Sequence, residues 1–285
     1  MKRIFRSAFT AWLVLFSMAV LAEESARKLL DKARDAIASA PALRRLDTGE
    51  QSAVLIVGGG RMPQPPQTNV VAIEIDMLKL LARQTTTVQG KELVMLKQRE
   101  KTAMKLGSGL WETPSGPYEQ MAKDMGNLFV CEKETPETKE NAPVWKLVST
   151  ESFDGQEAYV IESEGNTAAA IAQARMSNGL AKAWPGDPAQ RPTVKVLEYS
   201  SKHWLEKPNC RRLQAVQISK MLLTMPLPDG TQQVIEQSSR SISRYNYGAV
   251  TIEIPEEAQK LLSPGNLPSP KPAVREGKAE EKAKP

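Results

Sequence analysis

The sequence predicts a mainly β (α+β) fold, a single curved antiparallel sheet or open half-barrel of about eleven strands with covering helices. Most of the chain consists of short runs in which apolar and polar residues alternate, and turn-forming residues separate these runs. Only a few segments carry apolar residues at helical spacing. Because consecutive hairpins pair antiparallel, one bent sheet with helices on its concave side is the simplest way to bury these strands.

The first 22 residues predict export. Three basic residues precede an apolar run over residues 11–21, and acidic residues follow Ala22, which is the layout of a signal peptide cleaved after Ala22. The apolar run is shorter than the roughly 20 residues that a permanent membrane span needs. We therefore expect an exported chain with no permanent membrane span.

A helix over residues 25–40 opens the exported part. Leu30, Ala33 and Ile37 recur on one face, with charged residues between them. Pro41 ends the helix because proline lacks a backbone donor and crowds the preceding turn.

The first half of the chain then consists of consecutive strands. Ile73 and Ile75 alternate with Glu74 and Asp76, so the two acids are expected to point outward. The glycines at 58–60 lack the Gly-Lys-Ser/Thr ending of a phosphate-binding loop and predict a turn or flap. The predicted strands cover residues 52–57, 70–78, 79–86, 92–97, 101–106 and 110–112.

A second helix is predicted over residues 117–129. Tyr118, Met121 and Met125 fall on one of its faces, and Pro117 suits its first turn. A polar loop over residues 132–143 follows it.

The second half repeats the strand pattern with one interruption. Asp154-Gly155 predicts a hairpin. An insertion over 165–192 contains a predicted helix at 167–183, for which a second lid, a docking helix and a mere decoration of the sheet all remain open. The predicted strands cover residues 145–153, 157–164, 194–200, 202–206, 211–224, 232–245 and 249–254, and a short helix covers 256–262.

These segments predict one domain over residues 23–263, with the insertion at 165–192. Residues 264–285 consist mainly of Pro, Lys, Glu and Ala and predict a disordered tail, because they cannot bury enough apolar surface to offset the entropy of ordering. The leader removes three of the 38 basic residues and none of the 33 acidic ones, leaving 35 against 33 and a formal charge of +2. Basic and acidic residues alternate, so nucleic acid is not an expected partner.

Cys131 and Cys210 are the two cysteines of the chain. An oxidising compartment favours a disulfide between them. The bridge would be either a structural staple or a redox pair, and the missing C-x-x-C spacing favours the staple.

The sequence predicts a binding protein and not an enzyme. His203 is the single histidine, and no Gly-x-Ser-x-Gly elbow accompanies it. One histidine and two disulfide-prone cysteines do not provide the ligands of a zinc site. We expect no catalytic residue, no metal and no cofactor.

Methionines on facing segments are the positive functional signal, because thioether side chains adapt to irregular apolar partners such as acyl chains. They equally fit a filled core, and both interpretations stay open. If a cavity exists, the sequence predicts for its lining Val71, Ile73, Ile75, Met95, Trp111, Tyr118 and Met121.

Four stretches of the chain resemble the LolA/LolB-like family of exported lipoprotein carriers. They are the leader with its amphipathic helix, residues 81–83 with 89–96 and 109–111, residues 203–207 leading into 211–219, and Tyr245 with residues 250–255. The third stretch is similar to the family's Tyr-Trp-Ile-Asp-Lys strand end, with His203 in place of Tyr. The resemblance covers most of residues 25–262 and implies a half-closed antiparallel barrel lidded by helices.

The resemblance implies a periplasmic protein that shields a lipid or lipoprotein acyl chain in an apolar cavity, in the manner of a carrier to the outer membrane. It makes Arg83 the candidate for a lid contact. The insertion at 165–192 has no counterpart in the compact carriers. The alternative interpretation is therefore an envelope interaction or stress-sensor module without cargo, which contacts a protein partner through this insertion.

Overall fold

The computed structural model describes residues 25–128, 144–163, 165–183, 191–227 and 230–263. The predicted signal peptide, Cys131, the loop at 132–143 and the tail at 264–285 lie outside these residues. The helices are α1 over 25–38, α2 Pro117–Asp124, α3 Gly165–Ala183 and α4 Glu256–Leu262, and a 3₁₀ turn Met125–Leu128 continues α2. The strands are β1 Ala42–Val57, β2 Gly60–Pro63, β3 Gln67–Asp76, β4 Leu81–Val88, β5 Lys91–Gln98, β6 Lys101–Leu106, β7 Trp145–Phe153, β8 Gln156–Ser163, β9 Thr193–Glu206, β10 Arg212–Pro226 and β11 Gln232–Asn246.

All eleven strands form one antiparallel sheet in the order β6-β5-β4-β3-β1-β11-β10-β9-β8-β7, and β2 pairs with the end of β1. β6 and β7 lie at opposite ends of this order, so the sheet is open. The predicted fold class is confirmed.

Different helices pack against the two faces of the sheet. Strand pairing between β1 and β11 runs without a register shift, so alternate residues of β1 mark the faces along its whole length. Leu43 points to a cluster that contains α2 residues, and Ala42 points to a cluster that contains α4 residues. We call these sides the α2 face and the α4 face.

Two helices cover the α2 face. α2 packs over β3, β5 and β6, where Met95 and Met104 are buried. α1 packs over β8 and β9 through Ala33, which contacts the cluster of Ile161 and Leu205. On the opposite side, α4 covers Leu96 and its neighbours. The middle and far parts of the long strands β1, β9, β10 and β11 extend beyond these three clusters.

β1 begins ten residues earlier than predicted. Its first half contains Arg44, Arg45 and Asp47, which hide the apolar alternation. The Nε of Arg45 donates to a carboxylate oxygen of Asp47 at 3.0 Å, so the two charges on the α2 face neutralise each other. The predicted turn at 58–60 is found as the β1–β2 hairpin, where Gly58 and Gly59 have φ of 56° and 83° that favour glycine.

Two predicted strands are absent from the described sheet. Residues 110–112 make only a single bridge, between Glu112 and Met104. Residues 249–254 form no strand, and Val250 and Ile252 instead pack against the α4 face as extended chain. Val250 and Ile252 are buried by contacts with side chains and not in a strand, whereas Leu110 is 80% exposed.

Glu74 and Asp76 do not point outward as predicted, because both are buried on the α4 face. Register places Glu74 between Arg44 and Arg83 of the two neighbouring strands. The Nε of Arg44 lies 3.0 Å from one oxygen of Glu74, and the Nε of Arg83 donates to the other at 2.6 Å. Two guanidinium groups thus compensate the burial of one carboxylate.

Candidate functional site

Six of the seven predicted lining residues come together on the α2 face. Ile73, Ile75 and Met95 are buried in one cluster, and Val71, Tyr118 and Met121 pack against it from β3 and α2. The helical and strand periods of the sequence therefore placed these six side chains correctly relative to one another.

This cluster is a packed core. Met95 is fully buried, Ile73 and Ile75 are 4% and 5% exposed, and Met104 and Met125 fill the space between sheet and helix. Of the two interpretations that the sequence left open for these methionines, packing accounts for their burial here.

Trp111 does not join the other six, because it packs against the cluster on the α4 face. The chain reverses at 107–109 after β6 and returns through the single Met104–Glu112 bridge. Strand alternation therefore does not extend to Trp111, and the predicted common lining is wrong for this residue.

Arg83 also faces the α4 side. Its guanidinium bonds to Glu74, and Leu96 lies opposite it on β5. A lid contact by Arg83 stays a prediction from the resemblance.

A second apolar surface lies on the α2 face beyond the packed cluster, and sequence reasoning missed it. Leu55, Ile235, Leu223 and Val194 stand in one continuous row across β1, β11, β10 and β9. All are half-buried except Val194, which is buried. Together with neighbouring apolar residues of β9 and β10 they form what we call the distal apolar surface, which consists of Leu55, Val194, Val196, Met221, Leu223, Met225 and Ile235.

A polar band separates the distal apolar surface from the packed clusters. Gln51, Ser239 and Ser219 form one row of this band, and the two serine hydroxyls are hydrogen-bonded at 2.7 Å. Gln217 and Ser241 in the next row are exposed. The α2 face therefore passes from apolar to hydrogen-bonding surface over a few residues of each strand.

A pocket of about 390 Å³ lies mainly on the α4 face of the same strands. Its charged residues stand in opposed cross-strand positions, Glu50 opposite Arg240 and Glu198 opposite Lys220. The pocket is lined by Glu50, Gln51, Ser52, Pro66, Gln67, Thr68, Glu198, Ile218, Ser219, Lys220, Ser238, Ser239 and Arg240. An acyl chain in this pocket would lie beside two acids, two bases and several hydroxyls.

The α4 face beside this pocket carries an ion-pair network. Lys220 and Arg61 bond to the two oxygens of Glu236 at 2.9 and 2.8 Å. These hydrogen bonds, that of Lys220 first, lower the pKa of Glu236. The α4 face of the far half of the sheet thus combines this ion-pair network with the half-buried Val54, Ile56, Leu222 and Val234, while the α2 face carries the distal apolar surface.

His203 is buried on the α2 face beside α1. Burial, together with the positive charge of Arg212, lowers its pKa to about 3. Its Nε2 is hydrogen-bonded to the Ser201 hydroxyl at 3.0 Å, and its ring meets Trp145 edge to face at 5.2 Å. The imidazole is therefore neutral at pH 7, and its buried Nδ1 has no hydrogen-bond partner among the described residues.

Cys210 is a buried free thiol among the described residues, and burial raises its pKa. Its Sγ donates to the Pro208 carbonyl at 3.7 Å. Cys131 lies outside the described residues, so the disulfide stays a prediction.

The described residues contain no group of three or more His, Cys, Asp or Glu side chains that could hold a metal ion. Their helices include none with the length and apolar character that crossing a membrane requires.

Comparison with known proteins gives little further information. No protein-family profile matches the chain, and no curated protein matches it. Among solved structures, a DUF1329 family protein from Desulfovibrio piger is similar over 79% of this chain and 95% of that chain, with 14% identity and a TM-score of 0.25.

Proposed function

We propose that the chain is a periplasmic binding protein that shields the acyl chain of a lipid or lipoprotein, as a carrier to the outer membrane would. The observation that carries the proposal is the distal apolar surface, a row of four apolar side chains across four strands with further apolar residues beside it. The predicted signal peptide and the resemblance to LolA/LolB-like carriers support it. No catalytic role is part of the proposal.

The distal apolar surface suits an acyl chain better than the packed cluster does. A guest in the cluster around Met95 would have to displace fully buried side chains. On the distal surface the side chains are mostly half-buried and include Met221 and Met225, whose flexible thioethers adapt to a chain of variable length. Each methylene moved out of water contributes about 0.8 kcal/mol, so roughly ten methylenes supply about 8 kcal/mol before the cost of association.

The adjoining polar band would orient a bound acyl chain along the strands. An acyl chain on the distal surface places its polar end near Gln51, Ser239 and Gln217. These groups donate and accept hydrogen bonds without charge. The proposed cargo is therefore amphipathic, with the apolar end toward Leu223.

Two adjacent residues of β10 test this function. Leu223→Asp puts a charge into the distal apolar surface and is expected to weaken the binding of a fluorescent fatty-acyl probe by at least about tenfold, because an unpaired carboxylate must be desolvated. Leu222→Asp is the matched control. Leu222 is equally half-buried but faces the α4 side, between Lys195 and Glu236.

Probe titrations of the wild type and both variants, with circular dichroism to verify folding, measure the difference. Equal affinity in Leu223→Asp and Leu222→Asp would contradict the proposed site. If Leu223→Asp does not fold, Met221→Ser on the same surface replaces it, since serine is tolerated at half-buried strand positions.

A further inference from the structure

The sheet contains an interior strand edge that lacks a neighbouring strand. β8 pairs with β9 only over residues 202–206, while β10 pairs with β9 from Thr193 onward. Within the described part of the chain, residues 193–201 of β9 therefore have no strand on the side away from β10. Such an edge presents unpaired backbone groups to any other extended chain.

Helix α3 closes one end of this open edge. Its Gln173 side chain donates to the carbonyl of Val194 at 2.5 Å and accepts from the amide of Val196 at 2.6 Å. These are the two backbone groups that a neighbouring strand would bond. Ala168 and Ala172 of α3 are buried, and their small size allows the helix to approach β9 closely.

Ser163, the last residue of β8, closes the other end. Its hydroxyl accepts a hydrogen bond from the amide of Ser201 at 2.9 Å. Between the two side chains, β9 has a bulge at Leu197, where pairing with β10 shifts register. The bulge places Lys195 and Glu198 on the same face of the sheet, and covering an edge with a helix is a device by which proteins prevent edges from pairing.

We propose that α3 guards the open edge of β9 against pairing with the same edge of a second copy of this chain. The choice of partner follows from charge. When two such edges pair antiparallel about a centre between Val196 and Leu197, Lys195 of each copy lies opposite Glu198 of the other. Both residues are exposed and both lie on the α4 face. Opposite charges in directly opposed positions stabilise strand pairs.

This inference does not depend on the proposed function. It assigns the helix of the insertion a defined task, which is to keep the chain monomeric while the long strands remain open at β9.

Gln173→Leu tests whether α3 prevents pairing of the β9 edge, because leucine retains helix propensity and volume but cannot hydrogen-bond to the backbone of β9. We expect the dissociation constant for self-association, measured by analytical ultracentrifugation, to fall at least about tenfold relative to the wild type. Ser177→Ala is the matched control. Its hydroxyl accepts from Gln173 at 3.1 Å, and no bond joins it to β9.

The pairing itself is tested by a charge reversal in the Gln173→Leu background. Glu198→Lys should abolish the dimer, and the added change Lys195→Glu should restore it. A Gln173→Leu variant that remains as monomeric as Ser177→Ala overturns the proposal, and so does a dimer indifferent to both charge changes. If Gln173→Leu does not fold, Ser163→Ala replaces it, because this change frees the Ser201 amide at the other end of the edge. A Ser163→Ala variant that remains monomeric, or that forms a dimer indifferent to both charge changes, overturns the proposal in the same way.

Discussion

Replacement of Met95 by alanine is expected to lower the free energy of unfolding by about 2–5 kcal/mol. The Met95 side chain is fully buried at the centre of the cluster on the α2 face, opposite Met104 on β6. Truncation removes its apolar burial and leaves a void, which the rigid strands on both sides cannot close. Chemical denaturation at equilibrium measures the loss.

Leu106→Ala is the control for this prediction. Leu106 is also a large apolar residue of the neighbouring strand, but its side chain is 47% exposed, so we expect a change of about 0.5 kcal/mol or less. A loss below about 1 kcal/mol for Met95→Ala would contradict the packed cluster. It would indicate that this part of the protein encloses the hollow that the sequence left open.

Acidification is expected to destabilise the protein through His203. The pKa of this imidazole is about 3 in the folded protein because of burial and Arg212, against 6.5 for an ordinary histidine. Between pH 6.5 and pH 3 the imidazole is therefore protonated in the unfolded chain but neutral in the folded protein. The contribution of this group to the free energy of unfolding is complete above pH 6.5 and is lost as the pH falls toward 3. Between pH 7 and pH 5 this one group should remove about 2 kcal/mol.

His203→Gln isolates this contribution, because a glutamine side chain can keep the hydrogen bond to Ser201 but does not titrate. Denaturation curves of both proteins at pH 7 and pH 5 give the comparison, since both share every other titrating group. The wild type should lose about 2 kcal/mol more than the variant over this interval. Parallel losses in the two proteins would mean that His203 is accessible to protonation in the folded state.

The sequence was sufficient to predict which side chains share a face, but not what covers that face. Alternation put Ile73 and Ile75 together, and helical spacing put Met121 over them, as found. Whether the space between is filled depends on how closely α2 approaches the sheet, which is decided by side chains distant in sequence such as Met104. A period in the sequence carries no information on that distance.

Two other features were hidden for different reasons. Glu74 was expected outside because its partners, Arg44 and Arg83, come from other strands and only strand register brings them together. The distal apolar surface was missed because residues 221–223 of β10 are all apolar, so alternation cannot tell which face is which. Pairing with β11 resolves this, since Leu223 lies opposite Ile235 and Leu222 lies opposite Glu236.

Native mass spectrometry of the protein purified from cell envelopes tests the central claim most directly. The claim is that the far end of the α2 face, around Leu223 and Ile235, holds an acyl chain. The account predicts an adduct of lipid mass on the wild type, its retention on Leu222→Asp and its loss from Leu223→Asp. Recovery of only unliganded wild-type protein, with no uptake of a fluorescent fatty-acyl probe, would contradict it.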